Sequence, residues 1–215
     1  DWHTATGGTP WSINDNIHTK GKIAINDGYK SIWIGVDSAG YQTGSTGANN
    51  LMLLDSAGWN NLTGSGNFFI GPKAGYENTS GYNNYFIGNN SGHDNTTGRS
   101  NLYIGAGTGD TITGALYNVL IGDSVATNAY TLLQGNTIVG YGAAARATSL
   151  FDNVIVGLDA AFFSTDMTLN TVIGPFTGDK ASGTTNGLVG HYAGEYTSGE
   201  SNVFIGTYRS EERRV

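Results

Sequence analysis

The pentapeptide Asn67-Phe-Phe-Ile-Gly71 returns at a nearly constant interval through most of the chain. Downstream it reads Asn84-Tyr-Phe-Ile-Gly88, Asn101-Leu-Tyr-Ile-Gly105 and Asn118-Val-Leu-Ile-Gly122. It continues as Asn136-Thr-Ile-Val-Gly140, Asn153-Val-Ile-Val-Gly157, Asn170-Thr-Val-Ile-Gly174, Asn186-Gly-Leu-Val-Gly190 and Asn202-Val-Phe-Ile-Gly206. Two degenerate copies stand upstream, Ser31-Ile-Trp-Ile-Gly35 and Asn50-Leu-Met-Leu-Leu54. Successive starts at 31, 50, 67, 84, 101, 118, 136, 153, 170, 186 and 202 lie 16 to 19 residues apart. Self-similarity at such a period marks a solenoid or array, in which each unit depends on its neighbours for stability.

Within each unit, four extended positions followed by glycine predict a short strand that ends in a turn. With the leading Asn as position zero, position three is Ile or Val in nearly every copy, from Ile34 and Ile70 to Val189 and Ile205. Position two is apolar as well: Trp33, Met52, Phe69, Phe86, Tyr103, Leu120, Ile138, Ile155, Val172, Leu188 and Phe204. Neighbouring positions of a strand point to opposite faces, so a strand apolar at both is buried on both sides, as in parallel sheets. One face can fill the thin core of a coil; the other needs a covering surface, and a second copy of the same chain is the simplest. The remainder of each unit holds a small-residue pair, such as Ala57-Gly58 or Ala160-Ala161, and a polar turn such as Thr63-Gly64 or Thr97-Gly98. This predicts two short strands and two turns per coil. Helix is excluded by the density of glycine and asparagine and by the lack of an apolar stripe of period 3.6.

The expected fold is therefore all-β, a parallel β-solenoid or β-roll of about eleven coils. At ~4.8 Å per coil it would be a rod on the order of 50 Å long. The leading residues Asn67, Asn84, Asn101, Asn118, Asn136, Asn153, Asn170, Asn186 and Asn202 would then lie above one another as a structural amide ladder. Residues 1–30 lack the repeat and read as an N-terminal cap or junction, residues 31–206 as the solenoid, and residues 207–215 as a C-terminal tail or the start of a chaperone segment.

Composition narrows the function classes. Glycine is 34 of 215 residues, about twice average usage, with only 3 prolines. The 11% aromatic content is too high for a disordered low-complexity chain. There is no cysteine, hence no disulfide or thiolate metal site. A net charge of -7 argues against nucleic acid or an anionic membrane as partner. No apolar run approaches the ~20 residues needed to cross a bilayer as a helix.

The phrase Asn-x-x-Ile-Gly-x-x-Ala-Gly followed by a Thr-Gly turn and another Asn resembles repeats of bacteriophage tail fibres and related bacterial surface proteins. It is similar, more distantly, to the heads of trimeric autotransporter adhesins, whose repeats are shorter. The resemblance spans residues 31–206 and implies a homotrimeric extracellular fibre, on a virion tail or cell-surface appendage. Its partners would be further copies of itself, a host surface glycan or protein receptor, and other fibre or baseplate proteins. At the C-terminus, Ser210-Glu-Glu-Arg-Arg-Val215 resembles the start of the endosialidase-type intramolecular chaperone, with Ser210 and Arg213 matching its motif and Glu211 standing where that motif has Asp. That resemblance would make Ser210 a self-cleavage residue.

No other constellation points to catalysis, and no cofactor or metal is expected. Gly105-Ala-Gly107-Thr-Gly109 follows an apolar strand as a dinucleotide fingerprint does, but it is one repeat in register with no helix after it. The four histidines have no metal-ligand spacing. Asp110, Asp123, Asp159 and Asp179 are scattered, and no pair is singled out as a glycosidase would require. A threonine near each repeat end (Thr63, Thr79, Thr97, Thr113) is either an ordered ice-binding row or a set of turn caps. Candidate receptor-binding residues are the aromatics at turn tips and in the irregular region 123–169: Trp59, Tyr76, Tyr82, Tyr130, Phe162, Phe163, Tyr192 and Tyr196. The expected function is a non-enzymatic structural and adhesive fibre segment mediating attachment to a host. The alternatives are a polysaccharide-degrading tailspike and a bacterial cell-surface adhesin.

Overall fold

The structure is a computed structural model that describes residues 32–34, 46–128 and 133–209. Among these residues there is no helix. The first six strands are β1 (Ile32–Ile34), β2 (Leu51–Leu53), β3 (Phe68–Ile70), β4 (Tyr85–Ile87), β5 (Leu102–Ile104) and β6 (Val119–Ile121). Then come β7 (Leu133–Gln134), β8 (Thr137–Val139), β9 (Leu150–Phe151), β10 (Val154–Val156), β11 (Thr165–Thr168), β12 (Thr171–Ile173), β13 (Ser182–Thr184), β14 (Gly187–Val189) and β15 (Val203–Ile205). Eleven of them, one from each copy of the repeat phrase, form a single parallel sheet in strict chain order. Equivalent positions pair throughout, as Phe69 with Phe86, Phe86 with Tyr103 and Leu120 with Ile138. The chain is a β-solenoid of stacked coils.

From β2 onward, position two of each strand of this sheet points into the coil. Met52, Phe69, Phe86, Tyr103, Leu120, Ile138, Ile155, Val172 and Leu188 have no exposed surface. Phe69, Phe86 and Tyr103 stack at 5.1 and 4.7 Å, so one coil's ring closes the next coil's core. Positions one and three point outward.

The asparagine at position zero ties the coil in two directions. Its Oδ1 accepts a hydrogen bond from the backbone N–H of the next coil's asparagine, at 2.9 Å for Asn50 to Asn67 and 3.0 Å for Asn101 to Asn118. Its Nδ2 donates across the interior to a carbonyl on the far side of its own coil, 2.8 Å from Asn67 to Gly81 and 2.7 Å from Asn101 to Ala115. These amides are buried from Asn50 to Asn186. A buried amide left without partners costs ~1–3 kcal/mol, so full pairing is a condition of placing it there.

A second ladder was not anticipated from the sequence. Asn61, Asn78 and Asn95, all buried, stack on the opposite side, with Nδ2 of one donating to Oδ1 of the previous at 2.6 and 2.9 Å. Asn61 also donates to Gly64 O, the carbonyl that Asn50 reaches from the other side, both at 2.9 Å. Two carboxamides converging on one glycyl carbonyl clamp the N-terminal coils shut. The ladder ends where Ile112 occupies the next rung, and Asn95 Oδ1 is left buried without a partner.

Beyond that point the clamp gives way to an apolar plug. The clamp's glycines, Gly64, Gly81 and Gly98, are succeeded by Ala115 and then by Leu133, Leu150 and Met167. Opposite them the asparagines give way to Ile112, Ala147, Ser164 and Ala181. Small faces large in both halves until the coil that starts at Asn170, where Ala181 is matched by Gly183. The expectation of two strands per coil therefore needs correction: a second sheet, β7, β9, β11 and β13, exists only in this C-terminal part. The leading asparagine reaches the corresponding carbonyl in both parts, but in the N-terminal coils that carbonyl takes a second amide, from Asn61, Asn78 or Asn95. The bulk that makes region 123–169 irregular is thus partly internal, since Leu133 and Met167 are core residues.

In the coils that start at Asn67 to Asn153 the same compensation appears at the left-handed turn eight residues after the leading Asn, whereas Gly58, Gly178 and Gly194 keep glycine beside Met52, Val172 and Leu188. The turn residue is glycine at Gly75, Gly92 and Gly109, beside the rings of Phe69, Phe86 and Tyr103, and alanine at Ala126, Ala144 and Ala161, where the core residue is Leu120, Ile138 or Ile155. A Cβ at Gly75 would lie 2.6 Å from the Phe69 ring. Gly75→Ala is expected to cost ~2–4 kcal/mol, and in combination with Phe69→Leu to cost at least ~1 kcal/mol less than the sum of the single changes, as a double-mutant cycle by chemical denaturation would measure.

Tyr103 adds one oddity to the core. Its hydroxyl is fully buried with no hydrogen-bond partner, and burial pushes its ionisation far above the ordinary tyrosine range. Tyr103→Phe is expected to raise stability by ~1 kcal/mol, read as a higher thermal midpoint by circular dichroism.

Candidate interaction surface

The outward face of the main sheet has two rows. Position one supplies Leu51, Phe68, Tyr85, Leu102, Val119, Thr137, Val154, Thr171, Gly187 and Val203; position three supplies Leu53, Ile70, Ile87, Ile104, Ile121, Val139, Val156, Ile173, Val189 and Ile205. Parallel register stacks like on like, so each row runs the length of the sheet. Tyr85, Val154 and Ile173 are exposed, and Ile205 keeps 68% of its surface open. The strands of this sheet contact only one another among the described strands.

The corners of the coil carry the aromatic candidates, and the coil period decides what they present. Trp59, Tyr76 and His93 are 17 residues apart and form a half-buried stack, with centroids 6.3 and 5.0 Å apart and planes within 8°. Both faces of Tyr76 are thereby covered, leaving its edge to solvent. His93 Nδ1 lies 2.6 Å from Asp94 Oδ1. A second stack, Phe176, Tyr192 and Tyr208 at 5.0 and 5.2 Å, has His191 packed edge-on against all three rings.

The other candidates sit beside cations. Arg99 lies 5.8 Å from the ring centres of both Tyr82 and Tyr117, two exposed tyrosines on one corner. Arg146 lies 5.9 and 5.4 Å from Phe162 and Phe163, which meet edge to face at 4.7 Å. Lys180 Nζ is 4.5 Å over the Tyr196 ring and donates to its hydroxyl at 3.0 Å, with Asp179 and Glu195 at 3.7 and 3.9 Å. Tyr130 and Ser210 lie outside the described residues. The structure does not gather these aromatics into one site: they form separate clusters along the rod. The leading asparagines from Asn50 to Asn186 are inside the coil, paired, and unavailable to a ligand, while Asn202 in the last coil is half-buried and paired to Asn186.

Polar side chains elsewhere serve the scaffold. Of the threonine row, Thr63 and Thr79 Oγ1 each donate to a carbonyl of the next coil, at 3.4 and 3.0 Å, and so cap turns. Asp123 Oδ1 accepts from the Ala106 N–H at 2.8 Å. The residues after Gly105 form a turn. Asp110, Asp159 and Asp179 sit in different coils, and partial burial raises the pKa of each above the usual carboxylate value. For Asp110 a raised folded-state value means that ionisation opposes folding: stability is full below the unfolded-state value and falls as pH rises through the folded one. Asp110→Asn is therefore expected to raise the thermal midpoint at pH 7 and to leave it unchanged near pH 3.

Among the described residues no three His, Asp or Glu side chains converge as metal ligands, and no helix is long and apolar enough to cross a membrane. What the surface offers is a long apolar plane and several aromatic and cation-aromatic clusters along one rod. Comparison with protein-family models, with curated proteins and with solved structures gives no match.

Proposed function

We propose that this chain is a structural and adhesive segment of an extracellular fibre, a phage tail fibre or similar appendage, that works as a homotrimer and attaches to a glycan or protein receptor on a host surface. The observation that supports this reading most is the unbroken parallel sheet of eleven strands, one per coil, which makes the chain a stiff rod. A rod of this kind has a mechanical use without any catalytic group. Its coil period also repeats surface groups along the axis and, in a trimer, around it. Several weak contacts held on one rigid body raise avidity over any single contact by 10²–10⁴. The aromatic and cation-aromatic clusters at Trp59, Tyr82, Phe162, Tyr192 and Tyr196 are the groups best suited to such contacts, and other fibre or baseplate proteins would flank the segment.

Incubating the labelled chain with candidate host cells and their purified surface polysaccharide tests this. Retention on cells, competed by the polysaccharide and without release of reducing ends, is the expected result. Release of oligosaccharide would favour the tailspike alternative, and lack of retention on any candidate host would count against an adhesive role.

A further inference from the structure

The two outward rows of the main sheet contain no Asp, Glu, Lys or Arg in any coil from Leu51 to Ile205. In a chain of net charge -7, an uncharged surface spanning the entire sheet is a conspicuous exception. At ~4.8 Å per strand and two residues between rows, the plane measures about 50 by 10–12 Å, or roughly 500–600 Å². That is the upper end of the apolar patches found on monomeric proteins. Two such planes face to face remove ~1,000–1,200 Å² from water, the lower bound of specific interfaces.

From this we infer that the outward face of the main sheet is where copies of this chain meet, through the rows at positions one and three. This inference rests on the homotrimeric reading above and names the surface that makes it. Periodicity selects a second copy over other occupants. The face is corrugated by side chains at the coil spacing, and ridges of that spacing interlock along their full length only with a surface of the same period. A second copy has that period by construction. The absence of charge allows two chains of the same net sign to approach here with no like charges in contact, whereas Asp55, Asp123 and Asp152 lie on the flanks of the plane.

The chain has no cysteine, so single cysteines report proximity cleanly. Ile121 is at mid-sheet, where its equivalents approach one another whichever way the rods run. The full chain carrying Ile121→Cys is expected to form a disulfide-linked dimer under mild oxidation, while Thr97→Cys, exposed on another side, is expected to remain uncrosslinked. Ile104→Glu combined with Ile121→Glu is expected to shift sedimentation from oligomer to monomer with the β-sheet circular dichroism retained. If the double variant misfolds, the cysteine result decides. An oligomeric parent with no crosslinking at Ile121→Cys would overturn the assignment of this face while leaving the oligomer intact. A monomeric parent chain would overturn the homotrimer itself.

Discussion

Gly105→Ala is expected to abolish the native fold under ordinary conditions or to lower its stability by more than ~4 kcal/mol, the range reserved for changes that the surroundings cannot absorb. Gly105 ends β5 with φ +134°, a conformation closed to alanine. A Cβ there would lie 2.3 Å from the carbonyl oxygen of Gly122 and 2.9 Å from the N–H nitrogen of Asp123, both backbone atoms of the next coil. No rotamer relieves that clash; the coils must separate. Gly71, Gly88, Gly140, Gly157, Gly174 and Gly190 have the same relation to the coil that follows. The glycine of the repeat phrase therefore does more than end a strand: it sets the distance between coils. Thermal and urea denaturation followed by circular dichroism would measure the loss, and a Gly105→Ala midpoint within a few degrees of the parent would contradict this account.

Asn101→Leu is expected to be nearly as damaging, at ~3–5 kcal/mol, although leucine has a similar size. Asn101 Nδ2 donates to Ala115 O at 2.7 Å and to Asn84 Oδ1 at 3.1 Å, while its Oδ1 accepts from the backbone N–H and the side-chain amide of Asn118 at 3.0 and 3.1 Å. Leucine would leave the Asn118 N–H buried without a partner, at ~1–3 kcal/mol, strip the Ala115 carbonyl of one of its two donors while the Arg99 N–H remains, and remove both amide contacts between neighbouring rungs. Asn101→Asp is a sharper test, since it keeps the acceptor and loses the donor: it should be destabilising at pH 7 and partly rescued at pH 3, where the protonated acid donates. Equal destabilisation at both pH values would show that loss of the amide's shape, not its hydrogen bonds, is responsible.

The coil period, the strand positions and the inward apolar column were legible in the sequence because they recur in nearly every copy with the same neighbours. The leading asparagines share that regularity. The second ladder is poorly legible in the sequence because Asn61, Asn78 and Asn95 persist for three coils only, each after a different pair: Trp59-Asn60 before the first, Tyr76-Glu77 before the second, His93-Asp94 before the third. Their spacing of 17 was the available signal. Compensation between the clamp and the plug was hidden for a different reason. Gly81 and Leu150 occupy equivalent places, and their difference makes sense only beside Asn78 and Ala147 on the opposite wall, a pairing that depends on the cross-section of the coil. The aromatic candidates were legible as residues but not as surfaces. Stacking at the coil spacing converts open ring faces, at Tyr76 and Tyr192, into edges.

The hydrogen bonds that join the coils run along the rod, from each coil to the next. A pull on the two ends of a lone chain would load those rungs in series, so coils would peel from an end one at a time and the resistance would be that of a single rung set, however long the rod. Bending or compression meets the packed core instead. Lateral contact between rods changes the first case only: coils held by neighbours across the sheet face must slide past many side chains before they can peel, and tension is then shared in parallel over the whole length.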